Sequence, residues 1–185
     1  MEAFLVSTGL VALAEIGDKT QLLAILLAAR FRRPWPILGG IVAATLLNHA
    51  LAAAVGAAAA EWLSGPWFGR AVGLGFLLMA AWALVPDRAD EPRVRDGGVF
   101  WTTALAFFLV EMGDKTQVAT ALLAARYQAV VAVTAGTTLG MMLANAPAVW
   151  LGERITRVVP LRWVRLGAAG VFAALGLWVL AFGLG

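Results

Sequence analysis

A seven-residue string, Glu15-Ile16-Gly17-Asp18-Lys19-Thr20-Gln21, returns 96 residues later as Glu111-Met112-Gly113-Asp114-Lys115-Thr116-Gln117, and each copy interrupts an apolar run of membrane-spanning length. The likeness continues through Leu26-Leu27-Ala28-Ala29-Arg30 and Leu122-Leu123-Ala124-Ala125-Arg126, so that 11 of 16 aligned positions are identical. Each copy places two carboxylates and one amine where lipid would surround the helix. A charge at the bilayer centre costs about 2.5–3.5 kcal/mol on insertion scales, and six cost on the order of 15–20 kcal/mol if they face lipid. The two copies must therefore face each other or face water. A paired intramembrane carboxylate cluster is first a cation or proton site.

The surrounding sequence fits a chain held almost entirely in a bilayer. Of the 185 residues 62% are hydrophobic and 14% charged, against about 25% charged in soluble domains. Runs able to cross roughly 30 Å of hydrocarbon occur near 3–29, 37–60, 69–86, 100–125, 129–151 and 165–184. The expected fold class is an all-α integral membrane protein of six transmembrane helices. Its halves are a first three-helix repeat, 1–86, a charged cytoplasmic linker, 87–98, and a second three-helix repeat, 99–185. Six of the eight tryptophans (Trp35, Trp62, Trp67, Trp101, Trp150 and Trp163) fall near span ends, as an interfacial belt would.

Basic residues set the orientation. Loops after the first, third and fifth spans hold Arg30, Arg32, Arg33, Arg88, Arg93, Arg95, Arg154, Arg157, Arg162 and Arg165, and the other side holds Arg70 and Arg126. The positive-inside rule places the first set in the cytoplasm and both termini outside a cell inner (cytoplasmic) membrane. Three spans per half is an odd number, so the second repeat enters the membrane inverted relative to the first. Secondary transporters commonly share that plan, with sites near the midplane where the repeats meet. The opening Met1-Glu2 lacks the basic region of a cleavable signal peptide. The net charge of +3 is explained by membrane orientation and gives no sign of a nucleic-acid partner. Without cysteine, disulfides and thiolate chemistry are excluded.

On a continuous helix, Glu15, Asp18 and Lys19 share a face through i,i+3 and i,i+4 spacing, as do Glu111, Asp114 and Lys115. Gln21 and Gln117 lie beside that face, while Thr20 and Thr116 point elsewhere. Gly17 and Gly113 allow either close helix approach or local unwinding that frees carbonyl oxygens. Carboxylate, amide, hydroxyl and carbonyl oxygens suit a hard divalent cation. Four carboxylates and two lysines sum to −2, which one such ion neutralises. Protons compete for the same carboxylate oxygens, so exchange of cation for proton follows. The opposing reading is that each carboxylate pairs with its lysine and holds helices together. Asn48 and His49 in the second span and Asn145 in the fifth are supporting or proton-coupling candidates, with Asn48 and Asn145 one residue out of register with the 96-residue offset. Thr45, Thr137 and Thr138 read as interhelical hydrogen-bonding residues.

Two copies of Glu-x-Gly-Asp-Lys-Thr, each early in a three-span half, resemble the Golgi and bacterial manganese/calcium–proton antiporter family, also called uncharacterised protein family 16, of the cation/calcium exchanger group. Both copies satisfy the family pattern Glu-x-Gly-Asp-(Lys/Arg)-(Thr/Ser). The resemblance implies that Glu15, Asp18, Glu111 and Asp114 bind the metal. It also implies export of Mn²⁺, or of Ca²⁺, from the cytosol in exchange for H⁺, with no cofactor. The central loop is shorter and less acidic than a regulatory role in longer members would require. Two alternatives are an exporter of small organic cations or basic amino acids and a passive cation channel. An enzyme is not expected, because no nucleophile–base pair is present and His49 is the only histidine. Beyond the lipid bilayer and the cation, the sequence names no partner.

Overall fold

Every apolar run folds as helix in the computed structural model, but the two that carry the repeated string fold as two helices each. The structure describes residues 1–63, 65–85, 98–151 and 161–184. In chain order the helices are α1 (Glu2–Glu15), α2 (Lys19–Phe31), α3 (Pro34–Trp62), α4 (Pro66–Ala83), α5 (Val99–Glu111), α6 (Lys115–Tyr127), α7 (Val130–Leu151) and α8 (Leu161–Phe182). Proline opens α3 and α4, where its missing N–H is unneeded and its fixed φ is already helical. The half-helices α2 and α6 close alike, on Arg32 and Gln128 in the left-handed region at φ 52° and 50°. The segment 87–97 of the expected linker, with Arg88, Arg93 and Arg95, lies outside the described residues, as do Glu153, Arg154 and Arg157.

Three helices, Pro34–Trp62, Val130–Leu151 and Arg162–Phe182, are long and apolar enough to cross a membrane alone. The broken pairs use 13 or 14 residues per half-helix, so each pair reaches roughly 40 Å end to end. All six tryptophans expected at span ends are more than half exposed. Trp35 and Trp150 meet edge to face at 5.8 Å, placing the start of α3 and the end of α7 together.

The halves interleave. The long helix α7 packs along α1 and α2, while α3 packs along α5 and α6; α4 packs on α8. A methyl group at Gly140 would stand 2.6 Å from the Thr8 carbonyl oxygen, so α1 and α7 touch backbone to backbone there. The seam along α3 runs in parallel register. Gly40 lies against Phe100 and Thr103, Asn48 donates to the Phe108 carbonyl at 3.1 Å, and Gly56 lies against Ala121. One apolar core, around Phe76, Met79, Leu123 and Phe172, joins α4, α6 and α8. The other, around Leu27, Ile41, Phe107 and Met141, joins α2, α3, α5 and α7. Leu51, Leu78 and Val131 point outward and are more than half exposed, as side chains meeting lipid would be.

Candidate functional site

The local sequence dictates where each span breaks. Ile16 leaves the helix at φ −65°, ψ 116°, Gly17 follows at φ 80°, and Asp18 is extended at φ −80°, ψ 168°. Met112, Gly113 and Asp114 repeat this path at −63°/117°, 77° and −81°/168°. Only glycine takes a positive φ without steric cost, which fixes the residue at the middle of each break. The Asp18 and Asp114 N–H groups then donate to the Glu15 and Glu111 carbonyls, both at 3.0 Å. The freed Gly17 N–H donates to Gln21 Oε1 at 3.0 Å, and Gly113 N–H to Gln117 Oε1 at 2.7 Å. Each glutamine, three residues into the new helix, thus satisfies a donor that the break exposes.

The continuous helical face expected for Glu15, Asp18 and Lys19 does not form. Glu15 and Glu111 end α1 and α5, whereas Asp18 and Asp114 cap α2 and α6. The unwinding alternative is the one the chain adopts. It also turns Thr20 back toward its own motif, where its hydroxyl donates to Glu15 Oε2.

The break brings the two copies together. Lys19 Nζ lies 3.4 Å from Asp114 Oδ2, a pair that crosses between motifs. Glu15 and Asp114 are both within electrostatic reach of Glu111. All four carboxylate residues are buried, at 1%, 5%, 0% and 4% exposure in chain order. Glu111 accepts from Thr45 Oγ1 at 3.2 Å and from Asn48 Nδ2 at 3.3 Å. Asp114 Oδ1 caps its own helix by accepting from the Lys115 N–H at 2.7 Å. Lys115 Nζ donates to the Val85 carbonyl at 2.8 Å and lies over the Trp82 ring. Gln21 Nε2 donates to the Ala144 carbonyl at 2.9 Å, tying α2 to α7.

The remaining candidates fall near this assembly but outside its hydrogen bonds. Asn145 donates to the Met141 carbonyl at 3.1 Å, and its Oδ1 has no hydrogen-bond partner among the described residues. Thr116 Oγ1 and both ring nitrogens of His49 are likewise buried without one. Thr137 bonds back within its own helix, to the Val133 and Thr134 carbonyls at 2.9 and 3.1 Å, where the sequence led one to expect a bond between helices. Thr45 makes the bond between helices expected of it, and its place one turn before Asn48 brings both donors to Glu111. Arg165 was read only as an orientation signal, yet with Gly17, Asp18 and Lys115 it lines a cavity with about 20 Å³ of room, enough for one water.

Chemically, each break leaves a helix carbonyl end and two buried carboxylates at the interruption of its span, and the Lys19–Asp114 pair links the two. Helix C-termini carry a partial negative charge and favour cations, and discontinuous spans of transporters use such ends to bind ions. Among the described residues no three carboxylate or imidazole groups already converge as a ready metal site. The oxygens present belong instead to a set held by hydroxyl, amide and ammonium donors.

Similarity to known proteins agrees with this chemistry. The family described as "Divalent cation/proton antiporter GDT1" matches residues 3–91 and 99–184. A protein of Vibrio cholerae serotype O1 named "Putative manganese exporter" is 47% identical over 179 residues, covering 96% of this chain and 90% of that protein. No solved structure matches the chain.

Proposed function

The chain belongs to the GDT1 family of divalent cation/proton antiporters, and from that membership we propose that it exports Mn²⁺ from the cytosol in exchange for protons, with Glu15, Asp18, Glu111 and Asp114 as the metal-binding residues. The preference for Mn²⁺ over Ca²⁺ follows the name of the relative that shares 47% of aligned residues. The observation that carries the site assignment is the contact between motifs, Lys19 Nζ to Asp114 Oδ2 at 3.4 Å. It supports one shared site rather than two separate ones.

In this reading the six spans form two inverted three-helix repeats. The termini lie outside, the central loop is cytoplasmic, and the protein resides in the inner membrane. The matched backbone of the two breaks supports that arrangement, as does the reciprocal packing of α7 along α1–α2 and of α3 along α5–α6. Mn²⁺ approaches from the cytoplasmic side, displaces donors such as Lys19 from the carboxylates, and takes oxygens from both motifs. On the far side protons replace the metal on the same oxygens. Their return completes the cycle.

The test is transport by purified protein in liposomes with Mn²⁺, Ca²⁺ or Mg²⁺ against an imposed pH gradient. Mn²⁺ movement should follow the pH gradient and stop when that gradient is collapsed with the metal gradient intact. Continued flux after collapse would identify a channel. Flux of a basic amino acid in place of the metal would identify an organic-cation exporter.

A further inference from the structure

We infer that His49 supplies a nitrogen ligand to the cation held at the second motif, and so selects transition-metal divalents such as Mn²⁺ over Ca²⁺ and Mg²⁺. The inference rests on the exchange reading above and deepens it, because the Glu-x-Gly-Asp-Lys-Thr string contains no nitrogen ligand of this kind.

Three observations carry it. First, His49 is fully buried and neither ring nitrogen has a hydrogen-bond partner among the described residues. A buried polar group left unsatisfied costs about 1–3 kcal/mol, so a core position filled this way needs a use for the nitrogen. Second, the register of α3 puts His49 on the helix face that packs toward the second broken span. His49 follows Thr45 by one helical turn and precedes Gly56 by two, so the three share a stripe. Thr45 touches Glu111, the last residue of α5, and Gly56 lies against Ala121 of α6. Because α3 ascends in parallel along α5 and then α6, the residue between those two contacts stands abreast of the Met112–Asp114 break. Thr116, in the first turn of α6, also has a buried hydroxyl oxygen with no hydrogen-bond partner there.

Third, the imidazole is not duplicated. Aligning Asn48 with Asn145 puts Ala146 opposite His49. The repeat supplies carboxylates to both halves but a nitrogen donor to one. Mg²⁺ and Ca²⁺ favour all-oxygen coordination, whereas imidazole is a ligand of the first-row transition divalents, held most weakly by Mn²⁺ at the start of that series. One nitrogen beside the Glu111 and Asp114 oxygens shifts the preference toward the transition series without altering the charge balance of the site.

His49 is the chain's single histidine, which makes a direct test unambiguous. Tag-free protein is prepared with isotopically labelled histidine ring nitrogens and loaded with Mn²⁺, and electron spin-echo modulation is recorded. Coupling that changes with the label is expected. His49→Gln should remove that coupling and lower the Mn²⁺:Ca²⁺ transport ratio about tenfold, the lower bound of what loss of even a supporting metal partner costs. Ca²⁺ transport should persist, which also shows that the variant folds. If Mn²⁺ binds in a Glu111-dependent manner with no label-dependent coupling, His49 is not a ligand, while the exchange reading stands. If Glu111→Gln leaves Mn²⁺ binding unchanged, the site assignment and this inference both fall.

Discussion

The two motif regions share a sequence and a backbone, and their glutamates take hydrogen bonds from different elements. Glu15 is held by Thr20 of its own string, whereas Glu111 is held by Thr45 and Asn48 from α3. Lys19 reaches across to Asp114, whereas Lys115 donates to Val85 at the end of α4. Gln21 is tied to α7 through Ala144. The break is thus a local property, written in Gly, Asp and Gln and repeated faithfully. The partners are a tertiary property, set by the helix that packs alongside. There the halves have diverged: α3 carries Thr45, Asn48 and His49, while α7 carries Asn145 alone at the matching level. Under the proposed exchange that difference predicts a tighter hold on the cation at one motif than at the other.

The strongest way to break this comparison is to neutralise the carboxylates in turn. Glu15→Gln, Asp18→Asn, Glu111→Gln and Asp114→Asn should each lower Mn²⁺ transport by more than the roughly 10–100-fold that loss of a supporting partner costs, with the protein still folded in detergent. Glu111→Gln should be the most severe, because two donors from α3 organise its charge. Normal transport with reduced thermal stability would favour the ion-pair reading.

Much of this site is legible in the sequence. The repeat, the depth of the motifs and the carboxylate excess are one-dimensional facts, and they fix that the copies must meet. The broken helix was only half legible. Gly17 and Gly113 allowed close packing as readily as unwinding, and the i,i+3 spacing of Glu15 and Asp18 argued for a continuous face. What decided the matter is Gln21 and Gln117, whose amides accept the N–H groups that unwinding exposes. That role depends on a conformation the sequence pattern does not display. Thr45 was legible as an interhelical hydrogen-bonding residue, but its acceptor was not: only the passage of α3 beside α5 brings Glu111 within its reach.

The partners themselves offer the next test. Asn48→Leu removes an amide that bridges Glu111 and the Phe108 carbonyl, and should weaken Mn²⁺ affinity about tenfold. Thr20→Val removes the hydroxyl that donates to Glu15 and should weaken it by a smaller factor, since loss of one hydrogen bond costs about 0.5–1.5 kcal/mol. Titration of Mn²⁺ binding by calorimetry measures both. Equal losses would mean that the halves are functionally equivalent despite their different surroundings.

The smallest effects should come from the lysines, and they should differ in kind. Lys19 is 27% exposed in its pairing with Asp114, itself 3% exposed, so solvent at the lysine end brings the pair toward the roughly 0–1 kcal/mol of exposed pairs without making it one. Lys19→Ala therefore costs little stability. It also takes a competing cation away from an Asp114 oxygen, so Mn²⁺ affinity should hold or rise by up to about fivefold, the equivalent of 1 kcal/mol. Lys115 is 8% exposed, and its ammonium is anchored on the Val85 carbonyl and the Trp82 ring. Lys115→Ala leaves that carbonyl without its donor and loosens the end of α4, a loss of about 1–3 kcal/mol. Its signature is a lower melting temperature with Mn²⁺ affinity little changed. If the two variants instead shift affinity and stability alike, the lysines are interchangeable members of one charge cluster, and the division between a site lysine and an anchoring lysine is wrong.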